Sequence, residues 1–183
     1  PTSGLPWGAG AVGNAKWTGV PLQYFLDQTV FKDTAQEVVF TGADKGVRPD
    51  IPQSVNYARS LPVDRNLFAE CMLALKMNDM PIPFKHGGPV RLIVPGWYGM
   101  AHVKWLKSIT AAAAPFRGPF QVVDYVYTTN KDDYRDSTPV KKIKVNSIIT
   151  WPSKGMEIAP NNYMIRGLAW TGTGTVSNVE VST

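Results

Sequence analysis

Glycine and proline punctuate this chain so often that long amphipathic helices have little room. The 183 residues hold 16 glycines and 15 prolines. The apolar segments between them are short and rich in β-branched and aromatic residues, which suit strands. Val38-Val39-Phe40 reads as a strand ending at Gly42, and Cys71 to Met77 as a buried strand. Asn78-Asp79 then turns the chain toward Ile82-Pro83, a hairpin signal. Val90 to Val94 and Phe120 to Tyr127 are further strand-like runs, and Val103 to Ile109 carries apolar residues. One short helix is expected over Val20 to Phe31, where Leu22, Phe25, Leu26 and Val30 recur at helical spacing. Many short strands with few helices predict a mixed α+β domain.

The character changes near Lys141. Val145 to Thr150, Tyr163 to Trp170 and Val176 to Val181 are evenly spaced β segments separated by turn residues, the pattern of a β-sandwich. The boundary is placed at 1–138 and 139–183. The second part has no room for a whole sandwich, so the chain is expected to be a fragment of a longer one.

Charge narrows the functional classes. The formal net charge is +5, but the basic residues are scattered. The one dense run, Lys141, Lys142 and Lys144, alternates with Val140, Ile143 and Val145. It reads as the wet face of a strand, and no nucleic-acid partner is expected. No apolar run approaches the length that spans a bilayer. The single cysteine, Cys71, excludes an internal disulfide and a cysteine-based zinc site within the chain. Its apolar neighbours predict a buried structural thiol.

Three stretches carry polar chemistry. The densest is His86-Gly87-Gly88-Pro89-Val90-Arg91, followed by His102-Val103-Lys104-Trp105. Two glycines beside His86 would let the backbone approach a ligand closely. Arg91 offers a planar fork and Lys104 a point charge for a phosphate. A capped turn, a surface pair and a solvated lysine account for the same residues equally well. Two histidines without nearby carboxylates or thiols do not make a metal site. The second stretch clusters Phe120, Tyr125, Tyr127 and Tyr134 with Gln121 and Asp124. It suits either an oxyanion-facing tyrosine or ordinary core packing. The third is the glycine-rich opening with Trp7, whose indole could line a small-ligand pocket. Gly172-Thr173-Gly174 lacks the lysine of a phosphate loop and reads as a turn.

Taken in order, these stretches resemble the sulfite oxidase family of molybdopterin enzymes. The resemblance rests on Gly13 through Leu22, Phe40-Thr41-Gly42-Ala43-Asp44, Leu73 through Pro83, His86 through Leu106, and Gly167 through Gly172 with Val179 to Ser182. The stretch from Met77 to Leu106 is its specific part. It implies a molybdopterin-binding domain followed by the start of an immunoglobulin-like β-sandwich used for dimerisation. The implied cofactor is molybdenum-molybdopterin, contacted by Asp44, His86, Arg91, His102, Val103 and Lys104. Tyr125 matches the active-site tyrosine, with Tyr127 as the fallback, and Trp7 matches a tryptophan of the oxyanion pocket. The Cys-x-Gly-Asn-x-Arg motif that ligates molybdenum is absent from these residues. It is expected upstream of Pro1, and the substrate-binding arginines before Pro1 or after Thr183.

The activity so implied is the two-electron oxidation of sulfite to sulfate, with electrons passed to a haem or cytochrome acceptor. The fragment alone would be inactive. The partners implied are a small oxyanion, the electron acceptor, and a second chain in a homodimer or a heterodimer. The periplasm is the implied location, with the mitochondrial intermembrane space as the alternative. Two other functions compete: the same fold acting as a nitrate reductase or another S- or N-oxide reductase, and a β-rich binding module without chemistry. Convergence of His86, Arg91 and Lys104 on one cleft with Asp44 separates the last from the first two.

Overall fold

Among the described residues the first regular element is a strand that runs into the start of the expected helix. The computed structural model describes residues 11–128 and 137–182. Its contacts divide the chain into one unit of Ala15–Lys141 and another of Pro1–Asn14 with Lys142–Thr183. In the larger unit, β1 (Trp17–Pro21) runs directly into α1 (Leu22–Leu26). Val20 is paired with Leu73 in β1, so the helix predicted over Val20 to Phe31 begins only at Leu22. It stops at Leu26, whose carbonyl accepts from both the amide and the hydroxyl of Thr29. Only Leu22 and Leu26, one turn apart, bury their side chains from it.

β2 (Glu37–Arg48) is the centre of a three-stranded antiparallel sheet, between β3 (Ile51–Pro62) and β7 (Leu106–Ala112). Val38, Val39 and Phe40 are all buried, Val38 and Phe40 within the main core cluster. The strand does not end at Gly42, as its sequence suggested. It passes through a bulge, where the register to β3 shifts between Thr41 and Lys45. The β3 strand was not anticipated at all. Its outer half is exposed and polar, and its inner half, Ala58 to Leu61, is buried.

After β3, Asp64 caps α2 (Arg65–Glu70) by accepting from the amides of Asn66 and Leu67. This helix delivers Phe68 to the core beside Leu22, Phe40, Leu61 and Leu92. An Asp64→Ala chain should lose about 1 kcal/mol, the usual worth of such a cap. A denaturant midpoint lowered at unchanged slope is the expected reading. Cys71 follows the helix, ahead of β4 (Met72–Met77), and is 1% exposed.

β4 pairs with β1, with β5 (Met80–Pro81) and with β6 (Arg91–Ile93). Met77 faces Met80 across the turn, and Asn78 and Asp79 take positive φ of 51° and 66°. That is the backbone a two-residue hairpin turn of the primed type needs, and Asn-Asp supplies it. β7 starts three residues later than Val103, because Trp105 takes φ 47°.

The run Phe120 to Tyr127 is not one strand. Gly118 and Pro119 start a single helical turn, α3 (Pro119–Val122), and proline at a first helical position favours that outcome. Only β8 (Val126–Tyr127) is extended, pairing with β9 (Thr138–Pro139).

In the other unit, β10 (Asn146–Trp151) and β11 (Arg166–Trp170) form an antiparallel pair. The lysine run at 141–144 is exposed but precedes β10, with only an isolated bridge at Lys142. Val176 to Val181 forms no strand, and Val179 and Val181 stay exposed.

Candidate functional site

The stretch from Pro83 to Trp105 folds back on itself around two glycines. A 3-10 turn, Phe84–His86, ends at Gly87 with φ 97°, a left-handed conformation that glycine adopts without strain. A Cβ on Gly87 would lie 2.5 Å from the Cβ of Lys104 and 2.8 Å from its Cα. One on Gly88 would lie 2.1 Å from the carbonyl oxygen of Ile82. The close approach that these glycines permit is therefore to Lys104 and Ile82 of the chain itself. Trp105 N–H donates to the Gly87 carbonyl at 3.0 Å, and Leu106 N–H to that of Val90 at 2.9 Å.

The β2 bulge meets the other side of Lys104. Ala43 N–H donates to the Trp105 carbonyl at 2.8 Å. The side-chain amide of Asn56 donates to the carbonyls of Gly42 and Asp44, at 2.9 and 3.0 Å, and so fixes the bulge. A Cβ on Gly42 would strike Asp44 Oδ1 at 2.2 Å and the Lys104 carbonyl at 2.8 Å. Burial raises the Asp44 carboxyl pKa, opposed by a backbone hydrogen bond and by the charge of Lys104. Lys104 Nζ lies 4.2 Å from the centre of the Trp105 ring and donates to the Lys85 carbonyl at 3.0 Å.

Arg91 ties the two halves of this stretch together. Its guanidinium donates to the His86 carbonyl at 2.7 Å and to the His102 carbonyl at 3.0 Å, and lies 5.0 Å over the Trp17 ring. The His102 ring is fully engaged. Nε2 faces the Trp97 carbonyl at 3.2 Å and Nδ1 faces the Val94 N–H at 3.4 Å. A carbonyl only accepts, so Nε2 carries the proton and Nδ1 accepts. Burial lowers the pKa of His102, which keeps it neutral at pH 7. Val103 is wholly buried in the core. The His86 side chain is exposed.

Asp44, Lys104, Arg91 and the backbones of His86 and His102 thus belong to one connected junction. His102 and Val103 have no side chain free to meet a ligand there, so any contact they make is through the main chain. Trp7 lies outside the described residues, as does Tyr134.

Tyr125 belongs to a neighbouring cluster that the sequence only half disclosed. Its carbonyl accepts from Val140 N–H at 2.8 Å, and the Arg59 guanidinium lies 5.9 Å from its ring centre. Gln121 is buried, accepting from Ser60 N–H at 2.9 Å and bonding the Ser60 hydroxyl. Asp124 pairs with Arg48, which also holds Asp50. Gln121 and Asp124 are therefore occupied in fastening α3 to its surroundings. Three further residues were missed: Arg48, Tyr57 and Arg59. Tyr57 donates to the Met100 carbonyl at 2.7 Å and packs its ring 4.7 Å from that of Phe120. Burial raises its pKa, Tyr125, Asp44 and Asp124 add to the rise, and Arg59 opposes it. Its phenol therefore interacts with groups from both clusters. The one usable signal in the sequence was an arginine between Ala58 and Ser60-Leu61, in a segment otherwise fit for a core.

Residues 1–120 match the family described as oxidoreductase molybdopterin binding domain, and residues 137–183 that described as Mo-co oxidoreductase dimerisation domain. The chain belongs to the sulfite oxidase family. Among its relatives, the mitochondrial sulfite oxidase of Drosophila melanogaster is 37% identical over 93% of this chain and 31% of its own length. That of Homo sapiens is 35% identical over 98% of this chain and 34% of its own. An NADPH nitrate reductase of Beauveria bassiana is 32% identical over 99% of this chain and 22% of its own. The crystal structure of the sulfane dehydrogenase SoxCD from Paracoccus pantotrophus superposes with a TM-score of 0.70 at 26% identity. It covers 86% of this chain and 38% of that one. The chain spans about a third of the length of the sulfite oxidases it matches.

The cofactor of this family, molybdenum-molybdopterin, suits the junction on local evidence. Asp44 Oδ1, Arg91 Nε and Trp105 Nε1 are buried and have no hydrogen-bond partner. Buried polar atoms in folded proteins are rarely left so. One acceptor and two donors, in a stretch that also carries the Lys104 ammonium, suit a polar, anionic group such as a pterin with its phosphate. Among the described residues no group of three or more His, Cys, Asp or Glu is placed to hold an ion. Cys71 is the buried structural thiol that was expected, its pKa pushed up to about 12 by burial and, secondarily, by Glu70. It should resist a thiol reagent at pH 8 in the native protein and react only once denaturant exposes it. Prompt native-state labelling is the contrary result.

Proposed function

We propose that the intact protein is a molybdenum-dependent oxidoreductase that converts sulfite to sulfate and passes the electrons to a haem or cytochrome acceptor. The observation that carries this reading is the junction of Asp44, Arg91 and Lys104, with three buried polar atoms awaiting partners. In it Lys104 and Arg91 would hold the anionic end of the cofactor. Asp44 would accept from the pterin's N–H groups, and the exposed His86 would reach it from the turn. His102 and Val103 would contribute through their backbone. The cofactor, when bound, supplies two-electron oxygen-atom transfer. The protein supplies position and charge: Tyr125 would donate its phenolic hydrogen bond to the oxyanion, and Trp7 would line the pocket.

The relatives named as sulfite oxidases favour sulfite over nitrate, and the nitrate reductases keep the second substrate as the alternative. The match of residues 1–120 to a molybdopterin-binding oxidoreductase family disfavours the module without chemistry. The match of residues 137–183 to a dimerisation family supports a dimer. No helix among the described residues is long and apolar enough to cross a membrane. We place the protein in the periplasm, with the mitochondrial intermembrane space as the alternative.

Elemental analysis and turnover of the full-length protein test this reading. About one molybdenum per chain, with sulfite-dependent reduction of cytochrome c, is the expected result. Nitrate-dependent oxidation of a reduced dye in its place would give the function to the nitrate reductases. A protein without molybdenum or either activity would overturn the reading.

A further inference from the structure

The register shift between β2 and β3 sets three residues, Gly42, Ala43 and Asp44, against the single residue Tyr57. Thr41 still pairs with Ala58, and Lys45 pairs with Asn56. A looped-out stretch of this kind takes its amides and carbonyls off the ladder, and each needs another partner where water is excluded. Ala43 N–H finds the Trp105 carbonyl at 2.8 Å. The carbonyls of Gly42 and Asp44 both find one group, the side-chain amide of half-buried Asn56, at 2.9 and 3.0 Å. The amide nitrogen has two hydrogens, and here each has a carbonyl to meet.

These two bonds bracket the residue whose carboxylate is left without a partner. Asp44 Oδ1 is buried and accepts no hydrogen bond. Its place is made by Gly42, where a Cβ would lie 2.2 Å from that oxygen. With the carbonyls of Gly42 and Asp44 held from β3 and the Ala43 amide held from Trp105, the backbone that carries Asp44 has little freedom left. A buried acceptor so fixed can meet a donor without first being ordered, which is the advantage of preorganisation. The chemistry asks for asparagine. Serine would bring one donor, alanine none, and an ionised aspartate would turn oxygens toward both carbonyls.

We infer that Asn56 is a positioning residue for Asp44, clamping the bulge so that the buried carboxylate oxygen stands ready for a donor of the cofactor. This rests on the reading of Asp44 as the acceptor for the pterin's N–H groups.

The test is a double-mutant cycle in the full-length protein loaded with its molybdenum-molybdopterin. Two quantities are read: the rate of pterin loss on dialysis at pH 8, and denaturant unfolding of the cofactor-free form. Asn56→Ala should speed pterin loss about tenfold, the lower end of what losing an orienting partner costs at metal ligands. Asn56→Asp, equal in size but without donors when ionised, should lose pterin at least as fast. On an Asp44→Ala background, either change should alter the rate less than about twofold, because coupled residues are not additive. Near-normal retention in Asn56→Asp would mean that Asn56 only fills space, and the inference is overturned. A tenfold effect that persists on the Asp44→Ala background overturns it too, while leaving the role of Asp44 in place. So does a less stable cofactor-free protein whose pterin loss is unchanged, which would make Asn56 merely structural. If Asp44→Ala alone leaves retention unchanged, the role of Asp44 falls, and the inference with it. Should the alanine variant fail to accumulate, Asn56→Ser, which keeps one donor, carries the same cycle with smaller expected factors.

Discussion

A Gly87→Ala protein should unfold with a transition weakened by about 2–5 kcal/mol and should lose most of its molybdenum. Two independent costs add to that figure. The left-handed backbone at Gly87, φ 97°, disfavours any residue with a Cβ by roughly 1–2 kcal/mol. The new methyl would then lie 2.5 Å from Lys104 Cβ and 2.8 Å from its Cα. The backbone atom cannot swing aside, so overpacking contributes about 1–3 kcal/mol more. Relief requires the 3-10 turn and the Lys104 segment to separate, which breaks the Trp105–Gly87 hydrogen bond and the seat of the Lys104 ammonium. Gly99→Ala is the control. Nothing lies within 4 Å of a Cβ there and its φ is ordinary, so the change should stay within about 0.5 kcal/mol. Thermal unfolding and metal content of the two proteins together decide it. Equal behaviour would show that the tight contact at Gly87 is not what holds the junction.

The sequence drew attention to the stretch around Gly87 and Gly88 for a reason that the structure revises. Gly87 and Gly88 were read as making room for a ligand, and they make room for Lys104 and Ile82. The consequence for the site is that packing Lys104 against the turn seats its ammonium on the Lys85 carbonyl and the Trp105 ring, within electrostatic reach of Asp44. Tight turns are legible when the residues themselves demand them, as Asn78 and Asp79 did for the β4–β5 hairpin. Elements whose shape depends on distant partners were not. β2 looked finished at Gly42, because a lone glycine in a strand signals an end as readily as a bulge. Only pairing with β3 on one side and β7 on the other carries the strand onward. The helix over Val20 to Phe31 had helical spacing, but pairing of Val20 with Leu73 outweighs that local preference.

Charged residues were the least legible part of the site. Arg59 stands in a strand where period-two reasoning sends a charge outward, yet it points into the protein and bonds to main-chain carbonyls. Main-chain acceptors carry no sequence signature, so an arginine in a core-like segment hinted at burial without disclosing its partners. The same holds for Arg91, whose forks are taken by the carbonyls of His86 and His102 instead of by a visible acid. His102 shows the converse. The residue type suggested a ligand contact, but both ring nitrogens are already engaged with the backbone.

Replacing half-buried Lys104 with methionine should weaken cofactor retention roughly tenfold, the scale of losing one hydrogen bond to a charged group. The substitution keeps the stem that packs on Gly87 and the Trp105 ring while deleting the ammonium. Without the cofactor, the main consequence falls on Asp44. Its carboxyl is already raised by burial, and the Lys104 charge is one of the influences that hold it down. Removing that charge raises it further. An acid whose folded-state pKa lies above its unfolded value opposes folding once ionised. Stability lost in Lys104→Met should therefore return as the pH falls through the folded-state pKa of Asp44. An Asp44→Asn change, which removes the ionisation, should flatten that pH dependence and restore part of the stability at pH 7. It should not restore cofactor binding, because the acceptor that the pterin needs is gone along with the cation. Denaturant unfolding between pH 4 and 8, run on the single and double variants without cofactor, separates these effects. If Lys104→Met lost stability equally at every pH, the ammonium would be acting by packing alone, and the electrostatic influence of Lys104 on Asp44 would have to be given up.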